Sequence, residues 1–132
     1  FIIFWVMIPI DKNESTVFLK ESVEYLEERG FENIKADVEG YESPKSYIRK
    51  GRGQETTITP DIVAERNGEE YIYEVSLKSE KPRLLKSKWK FLQLLSNMKN
   101  KKFKIITTRG HYKFTNTMLS DLDMQKNLIK IN

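Results

Sequence analysis

No cysteine occurs in the chain, so disulfide staples, thiolate zinc centres and a cysteine nucleophile are excluded. Histidine is nearly absent as well, and His111 alone cannot build a multi-histidine metal site. Any metal chemistry must then rest on Asp and Glu oxygens, a donor set that suits Mg²⁺ or Mn²⁺. No apolar run is long enough to span a bilayer as a helix, which takes about 20 residues. The most apolar stretch, Phe1 to Ile10, also lacks the basic start and small-residue cleavage site of a signal peptide. It reads as a buried strand or a packing extension, and Met7 inside it leaves the first six residues readable as an upstream extension. These absences fit an intracellular protein, cytoplasmic or nucleoid-associated, with no membrane contact. Internal repeats and low-complexity tracts are missing too.

What is present is enough apolar sequence in 132 residues for one compact core and too little for two, so residues 1–132 are expected to form a single domain. A net charge of +4 favours a polyanionic partner, because cations that neutralise phosphates release condensed counterions.

Periodicity gives an order of elements. Ser15 or Thr16 can cap a helix that runs to about Arg29 and stops at Gly30. Phe31 to Val38 reads as a strand. The polar stretch from Glu39 to Thr57, with Lys45, Arg49, Lys50 and Arg52 among glycines and a proline, reads as a mobile basic loop. Two β-rich runs follow, Ile58 to Glu65 and Glu70 to Leu77, around Arg66-Asn67-Gly68-Glu69. Asn-Gly supplies the positive φ that a type I′ hairpin turn needs at both central residues. Helical spacing resumes from Pro82 to about Met98, then a strand from Phe103 to Thr108, a short helix near Thr115 to Leu122, and a last strand from Leu128 to Ile131.

If the turn is the two-residue Asn67-Gly68 loop, Arg66 faces Glu69, and counting outward sets Asp61 opposite Glu74. Directly paired side chains have Cβ atoms about 4.5–5.5 Å apart on one face, where two carboxylates repel. Such a pair persists if both acids reach water, if one is protonated, or if a cation lies between them. The spacing alone leaves the solvated and the metal-bound readings open.

The runs Ile58-Thr59-Pro60-Asp61-Ile62-Val63-Ala64 and Tyr71-Ile72-Tyr73-Glu74-Val75-Ser76, joined through Asn67-Gly68, resemble the PD…(D/E)XK signature of the PD-(D/E)XK nuclease superfamily. The hairpin is most similar to that of archaeal Holliday-junction resolvases, and the likeness in element order covers roughly Ser15 to Lys104. It implies an α/β fold with a restriction-endonuclease-like core, a mixed central sheet flanked by helices in the order αβββαβ. It also implies Mg²⁺ or Mn²⁺ held by Asp61, Glu74 and the main-chain carbonyl of Val75, and hydrolysis of DNA phosphodiesters.

Ser76 departs from this pattern, because it stands where the superfamily places lysine. Lys78 lies two residues on and is one candidate replacement. Lys88 is another. It falls within the arc of Leu84, Leu85, Trp89, Leu92, Leu95 and Met98 on the following helix, where an ammonium must either reach the edge or meet a carboxylate. Some members of the superfamily carry the lysine on this helix. A first-helix acid often joins the site, which points to Glu21 and, less directly, to Glu14.

From Lys78 to Lys104 Glu80 is the only acid, and Arg83 and Lys86 join Lys45, Arg49, Lys50 and Arg52 as candidate phosphate contacts. The expectation is therefore a metal-dependent DNA endonuclease, possible as a homodimer since a domain this small needs a second copy to cut both strands. The competing expectation, raised by Ser76, is a nuclease-fold module that binds nucleic acid without cutting it.

Overall fold

Alternating apolar residues on either side of Asn67-Gly68 set the centre of the molecule. In the computed structural model, which describes residues 2–131 and side chains from Glu14 onward, they form β4 (Ile62–Arg66) and β5 (Glu69–Ser76). Asn67 and Gly68 have φ of 53° and 79°, the left-handed pair of a type I′ turn, and Arg66 pairs with Glu69 as expected. Ile62 pairs with Tyr73, so one further step sets Asp61 across from Glu74.

Three more strands complete a five-stranded sheet in the order β1-β4-β5-β6-β7, with β1 at Glu32–Ala36, β6 at Lys102–Thr108 and β7 at Leu128–Ile131. The pairings β1/β4 and β4/β5 are antiparallel, whereas β5/β6 and β6/β7 are parallel, so the sheet is mixed. Parallel neighbours need crossovers, supplied by α2 (Pro82–Met98) and α3 (Tyr112–Leu122).

Each sheet face is covered by helix. Phe18, Val23 and Leu26 of α1 (Ile2–Glu28) pack with Phe31, Ile62, Ala64, Tyr71 and Tyr73 on one side. On the other, Trp89 and Leu92 of α2 and Met118 and Leu119 of α3 pack with Ile72, Phe103 and Ile105. The protein is thus an α/β structure with a mixed sheet between helical layers. Among the described residues no helix is long and apolar enough to cross a membrane.

Several expectations are corrected. The apolar start is neither a strand nor followed by a cap at Ser15 or Thr16, because α1 is continuous from Ile2. Whether the side chains of Phe1 to Ile10 are buried lies outside the described residues. The stretch from Glu39 to Thr57 is not a plain loop: β2 (Tyr47–Gly51) and β3 (Gln54–Ile58) form a separate antiparallel ribbon. Arg49 ties that ribbon to α2, its Nη1 donating to Ser87 Oγ at 2.7 Å. Along α2, Leu84 and Met98 face solvent rather than the core, and Ser96 is buried instead.

Candidate active site

Asp61 sits one residue ahead of β4, where the ladder to β5 has run out. Its carboxylate and that of Glu74 continue the pairing by other means. The Asp61 backbone N–H donates to Glu74 Oε2 at 2.9 Å, and the Val75 N–H donates to Asp61 Oδ2 at 2.9 Å. Each acid thus clasps the other's strand.

The remaining oxygens turn toward α2. Lys88 Nζ lies 3.1 Å from Glu74 Oε1 and 3.8 Å from Asp61 Oδ1. The same Glu74 oxygen accepts from Trp89 Nε1 at 3.2 Å. Neighbours on a helix project about 100° apart, so Trp89 fills the core while Lys88 reaches the edge of the sheet, and both still converge on one carboxylate. Trp89 was not singled out from sequence as a site residue. The available signal was its indole N–H, which needs an acceptor once it is buried.

Glu74 is 1% exposed, whereas the side chains of Asp61 and Lys88 are 31% and 27% exposed on the open side. Burial pushes the Glu74 carboxyl up to about 8, and the charge of Asp61 adds to this while Lys88 opposes it. Burial likewise raises Asp61 against the pull of Lys88 and of the Val75 N–H. For Lys88, burial works against the charged form, but the two carboxylates outweigh it and its pKa rises. Two acids face one ammonium here, so a full negative charge is left over in a poorly solvated place only once Glu74 has given up its proton, above about pH 8.

Replacing Trp89 by Phe keeps a ring in the core and deletes one donor to Glu74. We expect a loss of about 1–2 kcal/mol near neutral pH, where burial keeps Glu74 protonated, from one neutral hydrogen bond and some packing. It is read as a lower urea midpoint with an unchanged slope.

Of the two acids Asp61 opens on a cavity of about 920 Å³, whose wall also includes Val75, Lys78, His111 and Glu14, while Glu74 stays behind it. Glu14 lies one and two turns before Phe18 and Ser22, so the inward stripe of α1 extends past the sheet and brings this acid to the cavity. His111 holds it. The Lys78 N–H donates to His111 Nδ1 at 2.9 Å, which places the imidazole proton on Nε2, 3.0 Å from Glu14 Oε1.

Other expected residues are not brought to the pair. Glu21 is exposed and lines a separate cleft with Glu24 and Glu28, because it lies on the same flank of α1 as Glu14 but about two turns, some 10 Å, further along the axis. Lys78 lies beyond the end of β5 with an exposed side chain that reaches neither carboxylate. Ser76 is buried: its hydroxyl meets Thr115 Oγ1 at 2.7 Å, Thr115 donates to Thr107 Oγ1, and Thr107 donates to the Ser76 carbonyl. This hydroxyl chain welds β5 to β6 and α3, filling the space a lysine at residue 76 would need.

The candidate phosphate contacts scatter. Lys50 and Arg52 are exposed on or beside the ribbon and Arg83 is exposed at the start of α2. Lys86 is paired with Asp121 at 2.7 Å, and Lys45 lines a different cavity with Glu42, Glu65 and Glu70.

Among the described residues no three carboxylate or imidazole side chains gather closely enough to hold a metal by themselves. The oxygens of Asp61 and Glu74 are nonetheless hard donors of the kind that suits Mg²⁺ or Mn²⁺, and a cation there would take the place of the proton that burial keeps on Glu74. No protein-family model, curated protein or solved structure matches this chain.

Proposed function

We propose that this protein is a divalent-metal-dependent DNA endonuclease of the PD-(D/E)XK type, with a restriction-endonuclease-like core and with Lys88 in place of the lysine missing at Ser76. The observation that carries the reading is the approach of Lys88 Nζ, from a different element, to both Glu74 and Asp61. A lysine on an otherwise apolar helical arc has found the two acids that the hairpin register brings together.

Asp61 and Glu74, with the Val75 carbonyl, would hold the cation, which supplies Lewis acidity at the phosphate and a lowered pKa for attacking water. Because the carboxylates hold Lys88 in its charged form, its role is to offset charge that develops on the phosphate, not to take a proton. Lys50, Arg52 and Arg83 would meet the DNA backbone, which positions a duplex without reading its sequence. The proposal extends to a homodimer, two copies offering one such site to each strand.

The test is nicking of supercoiled plasmid in Mg²⁺ or Mn²⁺. Cleavage is expected with either metal and is expected to vanish in chelator and in Asp61→Asn. Nicking that persists undiminished in Asp61→Asn rejects the assignment. One feature favours the second reading, a binding module without cleavage: Lys88 and the Trp89 N–H already act as internal counterparts to the acids. Salt-sensitive DNA binding with no nicking in either metal would establish it.

A further inference from the structure

Beyond the carboxylate site lies a second basic feature. On β5 the pairing runs from Tyr71 with Lys102 to Glu74 with Ile105, three rungs that at about 3.3 Å each separate two ends of the sheet. The acids and Lys88 occupy one end. The other end collects cations.

There, a cavity of about 300 Å³ between the end of α1 and the sheet is walled by Arg29, Arg66, Lys102 and Lys104, with no acid in its lining. The arginines lie over aromatic rings: the Arg29 guanidinium carbon is 3.6 Å from the centroid of Tyr25 and that of Arg66 is 4.3 Å from the centroid of Phe31. Arg66 also donates to the Arg29 carbonyl at 3.2 Å. Stacking immobilises a guanidinium while leaving its N–H edges free for an oxyanion. Lys102 and Lys104 are shared with a second, larger cavity of about 810 Å³ along α2 and the approach to β7, to which Lys90 and Lys126 contribute and in which Asp123 is the only acid. The shared lysines make the two cavities one continuous band.

Some of this charge is already answered, since Lys102 meets Glu69 at 3.1 Å and Lys101, also in the larger cavity's wall, meets Glu70 at 2.8 Å. Arg29, Arg66, Lys90, Lys104 and Lys126 have no ion pair among the described residues. Like charges gathered along a band repel, and a ligand with evenly spaced negative charges relieves all of them at once. We infer that this band is a second nucleic-acid-binding track that grips the phosphate backbone of a duplex at the end of the sheet opposite the carboxylate site. It takes no part in chemistry and reads no sequence; it supplies an anchoring contact for a second stretch of the substrate. The inference concerns binding, so it stands or fails apart from cleavage at Asp61.

The experiment measures binding of a short fluorescein-labelled duplex in chelator, so that cleavage does not enter, across a series of salt concentrations. Lys90→Glu/Lys126→Glu is compared with Lys20→Glu/Lys113→Glu, which makes the same charge change at exposed positions off the band. The band variant is expected to bind about 10-fold or more weaker, and its log K against log salt slope should shrink by about 2, near 0.9 for each phosphate contact removed. The off-band variant should keep the parent's slope. Circular dichroism and melting confirm that both remain folded. Equal weakening in the two variants, an unchanged slope in the band variant, or no salt-sensitive binding by the parent overturns the inference.

Discussion

Replacing Lys88 by Met is expected to lower both stability and cleavage. Methionine keeps most of the apolar stem that packs along α2, so the change isolates the ammonium. Its loss leaves Glu74, only 1% exposed, with a single side-chain donor in Trp89, and leaves Asp61 Oδ1 facing no cation. Breaking one partner out of a buried pair costs about 3–5 kcal/mol, and since Asp61 and Lys88 are partly open, about 3 kcal/mol is the expected loss. Urea unfolding above about pH 8, where Glu74 is ionised, measures it. Plasmid nicking should fall by about 100-fold or more, the scale for removing one preorganised electrostatic contact from a transition state. Lys88→Arg restores charge but not the compact shape of an ammonium, so it should recover stability better than activity. Should Lys88→Met unfold at the parent's urea concentration and nick plasmid at the parent's rate, the pairing has no energetic meaning.

A second large effect is expected from pH. Glu74 gives up its proton at about 8 in the folded chain against an ordinary value of 4.5. Between those values the unfolded chain has already released a proton that the folded chain still holds. Stability therefore declines as pH climbs through this window, the reverse of the usual behaviour of a carboxylate stabilised by its partner. Asp61, also raised by burial, acts in the same sense. In chelator the melting temperature should fall from the acid side of the window to its alkaline side, and Glu74→Ala should flatten the decline. Metal reverses it. At about 100 times its dissociation constant a ligand specific for the folded state adds about 2.7 kcal/mol, on the order of 10 °C for a chain of this size. A melting temperature that rises with pH in chelator, or one indifferent to Mn²⁺ at the alkaline end, defeats the account.

The centre of the molecule was legible because its signals are local. Asn67-Gly68 demands one turn geometry, that turn sets one register, and the register brings Asp61 to Glu74 without any knowledge of the remaining chain. Pro82 likewise marks the start of α2, and its periodicity exposes Lys88 as the polar residue out of place. The rest depended on contacts distant in sequence. Glu14 and Glu21, seven residues apart, share one flank of α1, so which of them nears the site is decided by how far along its axis, about 10 Å between the two, the helix meets the sheet. The ribbon of β2 and β3 was hidden because charged and hydroxyl side chains give it no apolar alternation; its two strands answer mainly each other. Ser76 looked like a defect when read against the resemblance. In the fold it is a joint between three elements, a role visible only once Thr107 and Thr115 are beside it.

The mutual clasp of Asp61 and Glu74 has a consequence for how such a chain can change over generations. Because each acid also closes the other's strand, loss of the proposed hydrolysis would not by itself release either one, and both would meet resistance to replacement in a chain that had ceased to cut. Solvent-facing cations such as Lys50 and Arg52 hold no part of the architecture together. In a lineage that had abandoned cutting, those exposed positions would be the first to lose their charge.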